Sequence, residues 1–393
     1  MKLLILTSRF PYPLEKGDKL RAYHQIRMLA RHHEVILVSL HDEEEVPTAH
    51  LQALEAFCSQ IHLFQIDKRD SWTAALKSFI SGKPAQVGYF FRQQIRQAIR
   101  GIIQKEKPDH LYCQLIRMSE YVRSLDVPST LDYMDTFSVG MKRRAEKSPF
   151  YLRWPMRMES YRLMKYEAAI YPDFTHHTII SEQDRRYLRL PANSPVSIIP
   201  NGIDLDFFQP LPDQEPHHEL VFVGNMGYFP NIEAAVFLAK SVMPLLWKQL
   251  PNARLLIAGA RPSAEVKALA QDQRITVSGW VEDIREAYQD GQIFVAPLRA
   301  GSGQQNKILE AMALGRLCLT TPMVNNAIGA EPGKELLLAE GAQAFASQIR
   351  TALSQPRLCQ AVAEAGQSFV RSHFSWEEST RKLEQLWDGG ADS

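Results

Sequence analysis

The chain has 393 residues, 45% hydrophobic and 23% charged, more than one ordinary core accommodates; two folded α/β domains are expected, not a disordered or fibrous chain. Lys and Arg total 45 against 44 Asp and Glu, a net charge of +1, so nothing global recommends a nucleic-acid partner and any electropositive site must be local. Cys58, Cys113, Cys318 and Cys359 lie apart without a CxxC pair or metal spacing, which argues against a disulfide scaffold and predicts a reducing, cytoplasmic setting.

The start, MKLLILTSRF, has one basic residue, Lys2, and an apolar run too short for a signal peptide, and reads as a first buried strand. Residues 11–19 form a turn-rich loop, 20–30 have helical spacing, and 34–40 read as a second strand. Further short apolar runs begin at Ile61, His110, Ser129 and Thr175, with amphipathic segments between them, the pattern of a mostly parallel sheet covered by helices. Residues 197–218 change character, and their Pro-rich, acidic end reads as a surface connector. A second series then begins at Glu219, Ala253, Ile275, Ile293 and Leu317. The expected domains are residues 1–195, 196–370, and a final helix and tail at 371–393 that packs on the first domain. Ser375 and Glu378 have the spacing of a capping box at that helix. No stretch reaches the roughly 18 apolar residues that span a bilayer, so any membrane association is expected to be peripheral, on the inner face.

In a parallel α/β sheet ligands collect at the carboxyl ends of the strands. The order APLRAGSGQQNKILEAMALG places a strand, then Gly301, Ser302 and Gly303, then Gln304, Gln305 and a helix carrying Lys307 and Glu310. Small residues admit an anion to the unpaired amides of a first helical turn, whose dipole favours negative charge, and Lys307 adds a cation. Such a loop also serves as a plain connector, and Lys307 with Glu310 also fits a solvated i,i+3 pair. A carboxylate in a crevice can instead accept both hydroxyls of a ribose. A second candidate anion loop is EKGDKLR, where Gly17 interrupts Lys16, Lys19 and Arg21; a solvated loop is the alternative. Two such loops facing across a cleft would clamp one diphosphate compound.

Residues 141–165 carry eight Lys or Arg, including Arg143 and Arg144, against two Glu, a net charge of +6 interleaved with Phe150, Tyr151 and Trp154. This reads either as a solvated or core-packing helix or as a surface that meets anionic lipid or a polyprenyl-diphosphate-linked glycan. His32-His33 and His176-His177 are adjacent pairs without converging ligands, so no fixed metal is expected. The first strand leads into FPYPLEKGDK, not a GxGxxG turn, which argues against a dinucleotide-dependent oxidoreductase.

Several segments carry a family resemblance: FPYPLEKGDKLRAYH at Phe10, DYMDTFS at Asp132, IPNGID at Ile199, VFVGNMGYFPNIEA at Val221, LLIAG at Leu255, VSGWVED at Val277 and NKILEAMALG at Asn306. In this order they resemble, over nearly the whole chain, a retaining glycosyltransferase of family 4, in its bacterial polysaccharide-associated branch. The resemblance implies a GT-B-like α/β fold, two Rossmann-like domains facing across a cleft with a C-terminal helix returning to the first. It implies a UDP- or GDP-sugar as donor substrate, no tightly bound cofactor, and transfer to a glycan or lipid-linked glycan with retention, by front-face attack. It places Glu310 on the ribose hydroxyls, residues 301–305 at the diphosphate and sugar, the segment from Asn225 to Asn231 facing the phosphates, Trp280 and Val281 near the base, and Gly17 approaching from the other domain. The chain departs from the family pattern at three points. Ser302 stands where the first of two glutamates is usual, Asn225 occupies a region usually basic, and DYMD replaces a histidine segment. Lys307 is therefore expected to supply charge, and Asp132 or Asp135, with Arg143 and Arg144, to meet the acceptor; Asp135, Lys307 and Glu310 are the candidate catalytic groups. A non-catalytic nucleotide- or glycan-binding protein, or a nucleotide-sugar epimerase or phosphorylase on the same scaffold, remains the alternative; the oligomeric state is left open.

Overall fold

Strands covered on both faces must be apolar without alternation, and the run LLIL meets that demand: Leu3, Leu4 and Leu6 have no exposed surface. The computed structural model describes residues 1–212, 215–299 and 304–389. It divides into two units, Met1–Pro200 with Ser379–Ser393, and Asn201–Glu378. These joins fall after Pro200 and Glu378, where composition put them at 195/196 and 370/371.

Unit 1 holds seven parallel strands: β1 (Lys2–Thr7), β2 (Glu34–His41), β3 (Gln60–Gln65), β4 (His110–Gln114), β5 (Ser129–Asp132), β6 (His176–Ile179) and β7 (Ser197–Ile198). Their order is β3-β2-β1-β4-β5-β6-β7, with β1 and β2 in register from Lys2 opposite Glu34 to Thr7 opposite Ser39. The first helix spans Gly17–Leu29 and buries Arg21, Ala22, Gln25, Ile26 and Leu29, one stripe at helical spacing. The last helix, Trp376–Trp387, begins where Ser375 Oγ accepts the Glu378 amide at 3.0 Å, the N-cap bond of the expected capping box. Its Leu383 is fully buried in a cluster with Leu3, Ile5 and Tyr112, and Trp387 Nε1 donates to Thr130 Oγ1 at 2.8 Å. His32 and His33 both reach Glu384 Oε1, at 3.0 and 2.9 Å, and His177 stacks on Tyr171 at 3.8 Å.

Unit 2 holds six parallel strands: β8 (His218–Val223), β9 (Leu255–Ala258), β10 (Ile275–Gly279), β11 (Gly291–Ala296), β12 (Leu317–Thr320) and β13 (Leu337–Leu338). The order is β10-β9-β8-β11-β12-β13. The amphipathic end of the chain, read as one stretch, breaks between the helices Pro356–His373 and Trp376–Trp387. At the break the Ile203 amide donates to the Phe374 carbonyl at 2.6 Å. Gly202 permits that approach, since a Cβ on it would stand 2.4 Å from the Trp376 nitrogen. One expectation is corrected: the helical run Phe229–Trp247 is long and apolar enough, by length and composition, to cross a membrane. Half of it is buried, with Ala234, Ala235, Leu238 and Val242 packed in the unit 2 core, so its apolar character serves the sheet it covers.

Candidate functional site

In unit 2 the winding reverses between β8 and β11, and at such a point the two strands' outgoing loops part and leave a crevice at the carboxyl edge. The loop leaving β8 starts at Gly224, against which β9 exits very closely. A Cβ on Gly259, which has φ +129°, would stand 2.0 Å from the Gly224 carbonyl oxygen, so only glycine fits. The close exit holds the exposed Asn225 in place: its Oδ1 accepts the Gly227 amide at 3.0 Å and its carbonyl accepts Asn231 Nδ2 at 2.9 Å. Asn231 Oδ1 in turn accepts Lys307 Nζ at 2.5 Å. The lysine thereby ties the β8 loop to the helix Asn306–Ala313 that follows β11.

That helix begins at Gln305 without a side-chain cap. Gln304 is pinned to the Asn201 backbone, accepting its amide at 3.1 Å and donating to its carbonyl at 2.8 Å. First-turn amides that Gln305 does not cap with its side chain, and a positive dipole end, make the crevice receptive to an anion. Burial lowers the Lys307 pKa to about 8, with Glu310 opposing, so the ammonium is still mostly charged at neutral pH. Glu310 Oε2 accepts the buried Tyr288 hydroxyl at 2.6 Å. Burial pushes the Glu310 carboxyl above its ordinary range, while Tyr288 and Lys307 pull it back. Lys307 and Glu310 do not form the solvated i,i+3 pair: each turns to a partner on another element, one to Asn231 and the other to Tyr288. Trp280 and Val281 follow β10, two strands from β8 on the same carboxyl edge, with Trp280 71% exposed. Gly301, Ser302 and Gly303 lie outside the described residues.

Sequence reasoning missed two residues here, Tyr288 and Arg261. Tyr288 orients Glu310, while Asn231, the end of the 225–231 segment expected to face the phosphates, orients Lys307. Arg261 follows β9 in left-handed backbone, φ +56°, and its Cβ would lie 3.4 Å from a Cβ on Gly227, so an exposed arginine springs from beside the β8 loop. Its signal was present as the arginine after the strand ARLLIAG. Among the described residues no group of three His, Cys, Asp or Glu could hold a metal ion.

In unit 1 the winding reverses between β1 and β4. Gly17 opens the first helix there with nothing within 4 Å of an added Cβ, and Lys16 at its N-cap makes no side-chain capping bond. Two expectations are corrected. Arg21 belongs to no exposed basic cluster, and Asp132 reaches no acceptor: both have no exposed surface. Arg21 Nε donates to Asp132 Oδ2 at 2.6 Å, Tyr112 adds a hydroxyl at 2.7 Å and Thr178 another at 3.1 Å, so the carboxylate is fully engaged inside the sheet. Arg143 lies over the Tyr187 ring at 5.2 Å, while Arg144 is exposed at the mouth of a cavity that Asp135 also lines.

Asp135 differs from Asp132 in kind. Its Oδ1 is buried without a hydrogen-bond partner, and burial, reinforced by Asp184 and opposed by Arg117, pushes its pKa up to about 7. A carboxyl whose folded pKa is raised holds its proton more tightly when folded, so its contribution to stability is lost as pH rises from about 4 towards 7. Asp135→Asn is therefore expected to stabilise the protein at pH 8 by on the order of 2 kcal/mol, allowing for partial solvent screening, and to leave stability at pH 4 nearly unchanged. Urea unfolding at both pH values measures this, and an equal effect at the two would refute it.

With this geometry in view, comparisons with known proteins become informative. Residues 217–355 match the family model described as Glycosyl transferases group 1. A Klebsiella pneumoniae protein described as an uncharacterized 44.6 kDa protein in cps region is 23% identical over 370 residues, covering 88% of this chain and 90% of its own. Among solved structures, sucrose-phosphate synthase from Thermosynechococcus elongatus superposes with a TM-score of 0.70 at 16% identity, covering 99% of both chains. Anabaena Alr3699/HepE in complex with UDP and glucose superposes with a TM-score of 0.69 at 13% identity, covering 99% of this chain and 100% of that one. The fold is thus that of glycosyltransferases of the GT-B type, two Rossmann-like parallel-sheet domains, consistent with an enzyme of the sugar-transferring class.

Proposed function

We propose that the protein transfers a sugar from a nucleotide-sugar donor, a UDP- or GDP-sugar, to a glycan or lipid-linked glycan, with retention of configuration, in cell-surface polysaccharide assembly. The observation that carries this reading is the pair of oriented charges where the unit 2 sheet reverses: Glu310 held by Tyr288, and Lys307 held by Asn231. Beyond Tyr288, the Glu310 carboxylate makes no hydrogen bond among the described residues, which leaves it an oxygen for ribose hydroxyls. Lys307, Arg261 and the first-turn amides at the helix start stabilise charge that develops on the departing nucleoside diphosphate. Trp280 and Val281 lie towards the base, Asn225 towards the phosphates, and Gln304 and Gln305 towards the diphosphate and sugar.

The acceptor hydroxyl is recognised by unit 1, through Asp135, Arg143 and Arg144, with Gly17 opening an anion-receptive helix start. Front-face attack assisted by the leaving phosphate requires no enzyme-bound nucleophile, only alignment of the acceptor with the anomeric carbon. An exposed basic and aromatic surface with Arg144, Arg153, Trp154 and Arg157 supports peripheral association with an anionic membrane.

A thermal-shift and mass-spectrometric screen of UDP-, GDP-, ADP- and dTDP-sugars with extracted lipid-linked glycans tests this reading. Donor-specific stabilisation, nucleoside diphosphate release and an acceptor mass gain are expected. Stabilisation without turnover against competent acceptors would favour a binding protein, and donor isomerisation an epimerase. Lys307→Ala is expected to weaken donor affinity about tenfold, the loss of roughly 1.4 kcal/mol of charge-assisted contact. Unchanged affinity and turnover in that variant would remove Lys307 from the donor site.

A further inference from the structure

Unit 1 contains an open cavity of about 660 Å³ between two helical hairpins. The helices Lys68–Ile80 and Ala85–Phe90 contribute Trp72, Phe79, Tyr89 and Phe90; Phe137–Lys147 and Phe150–Ala169 contribute Phe137, Met141 and Met156. The hairpins are locked together by Glu159, buried on the long helix, whose carboxylate accepts the Ala85 and Gln86 amides at 2.9 and 3.1 Å. Arg117 sits among these walls, 4.9 Å from the Phe90 ring centre and 4.8 Å from that of Phe137, with one Nη donating to Gln86 Oε1. Its Nε and Asp135 Oδ1, lining the same space, are both buried without a partner. A well-packed interior satisfies such groups, so this one is built for a ligand that carries both apolar bulk and polar atoms.

Three features identify the ligand's class. On Lys68–Ile80 the side chains of Trp72, Leu76 and Ile80, four residues apart, are 71%, 61% and 76% exposed, an apolar stripe turned to the outside. On Phe150–Ala169, Phe150 and Trp154 are 82% and 67% exposed, and Trp72 and Leu152 connect both ridges to the cavity. Exposed Lys77, Arg144, Arg153 and Arg157 accompany these ridges, the charge complement of a phosphate headgroup. Finally, Gly140 stands within the helix Phe137–Lys147, where glycine weakens a helix, and a Cβ on it would meet nothing within 4 Å because it faces the cavity.

We propose that this cavity takes the hydrocarbon chain of a polyprenyl phosphate, with the phosphate paired to Arg117 and Arg144 and the two apolar ridges seated in the lipid surface. This deepens the lipid-linked acceptor reading above and rests on it. No bond forms or breaks at the cavity; it positions the acceptor.

The test uses the full chain and geranylgeranyl phosphate, followed by tryptophan fluorescence, with UDP and GDP binding measured in parallel. Gly140→Leu fills the open space while improving helix propensity, so it is expected to fold as wild type. It should weaken geranylgeranyl phosphate binding at least tenfold and leave nucleotide binding unchanged. Ala75→Phe, from the opposite wall, should do the same. The uncharged geranylgeraniol should bind at least tenfold more weakly than its phosphate. Equal binding by wild type and Gly140→Leu, or equal displacement of the probe by phosphatidylglycerol vesicles at matched lipid concentration, would overturn the proposal. Loss of nucleotide binding with retained lipid binding would instead sink the donor reading and leave this cavity standing.

Discussion

Glu310→Gln is expected to lower kcat/KM for sugar transfer by about 10²-fold, through loss of charge-assisted hydrogen bonds to ribose, each contributing roughly 1.5–3 kcal/mol. Shape changes little in this variant, because a glutamine carbonyl can still accept the Tyr288 hydroxyl that Glu310 Oε2 accepts at 2.6 Å. The loss should therefore appear in donor affinity and turnover without a matching loss of thermal stability. Tyr288→Phe separates orientation from charge. It removes the partner that aims the carboxylate and leaves the charge, so a decrease of about tenfold is expected. The readout is initial-rate kinetics over donor concentration. If Glu310→Gln keeps wild-type KM and kcat, the carboxylate does not meet the donor, and the assignment fails.

Arg21→Met is expected to destabilise unit 1 by about 3–5 kcal/mol, the range for breaking a buried ion pair by removing one partner. Both side chains have no exposed surface, and Arg21 Nε lies 2.6 Å from Asp132 Oδ2, so methionine would leave a carboxylate in the sheet with two hydroxyl donors and no cation. Urea denaturation followed by far-ultraviolet circular dichroism measures the loss. The double variant Arg21→Met, Asp132→Leu should recover much of it, because replacing both charges with apolar groups removes the desolvation penalty along with the attraction. A loss below about 1 kcal/mol in the single variant would show that water reaches the pair.

The two corrections in unit 1 have one origin. Arg21 follows Lys16 and Lys19 in a segment rich in charge, and by composition all three read alike. Helical geometry separates them: Arg21 shares the buried stripe of Gln25 and Leu29, and the sheet presents Asp132 and Tyr112 to it. That partner lies 111 residues away, a distance at which local pattern carries no information. DYMD divides similarly. Asp132 ends β5 and points into the sheet, whereas Asp135, three residues on, lines a cavity with an unpartnered oxygen.

Two parallel α/β sheets are legible in the sequence, because apolar runs of strand length alternating with amphipathic helices bury their surface in few other ways. The helix that carries Lys307 and Glu310 is legible too, since a loop of small residues between a strand and a helix start is a local signature. What holds those two groups emerges only when the chain folds. Asn231 lies 76 residues from Lys307 and Tyr288 lies 22 from Glu310, brought close by β8 and β11 pairing side by side. The unit 1 cavity was likewise invisible, as it exists only where helices from residues 68–90 and 137–169 fail to close on one another. Hydrophobic periodicity says which face of a helix turns inward. Empty space and charge pairing depend on how distant faces meet, which the folded chain alone decides.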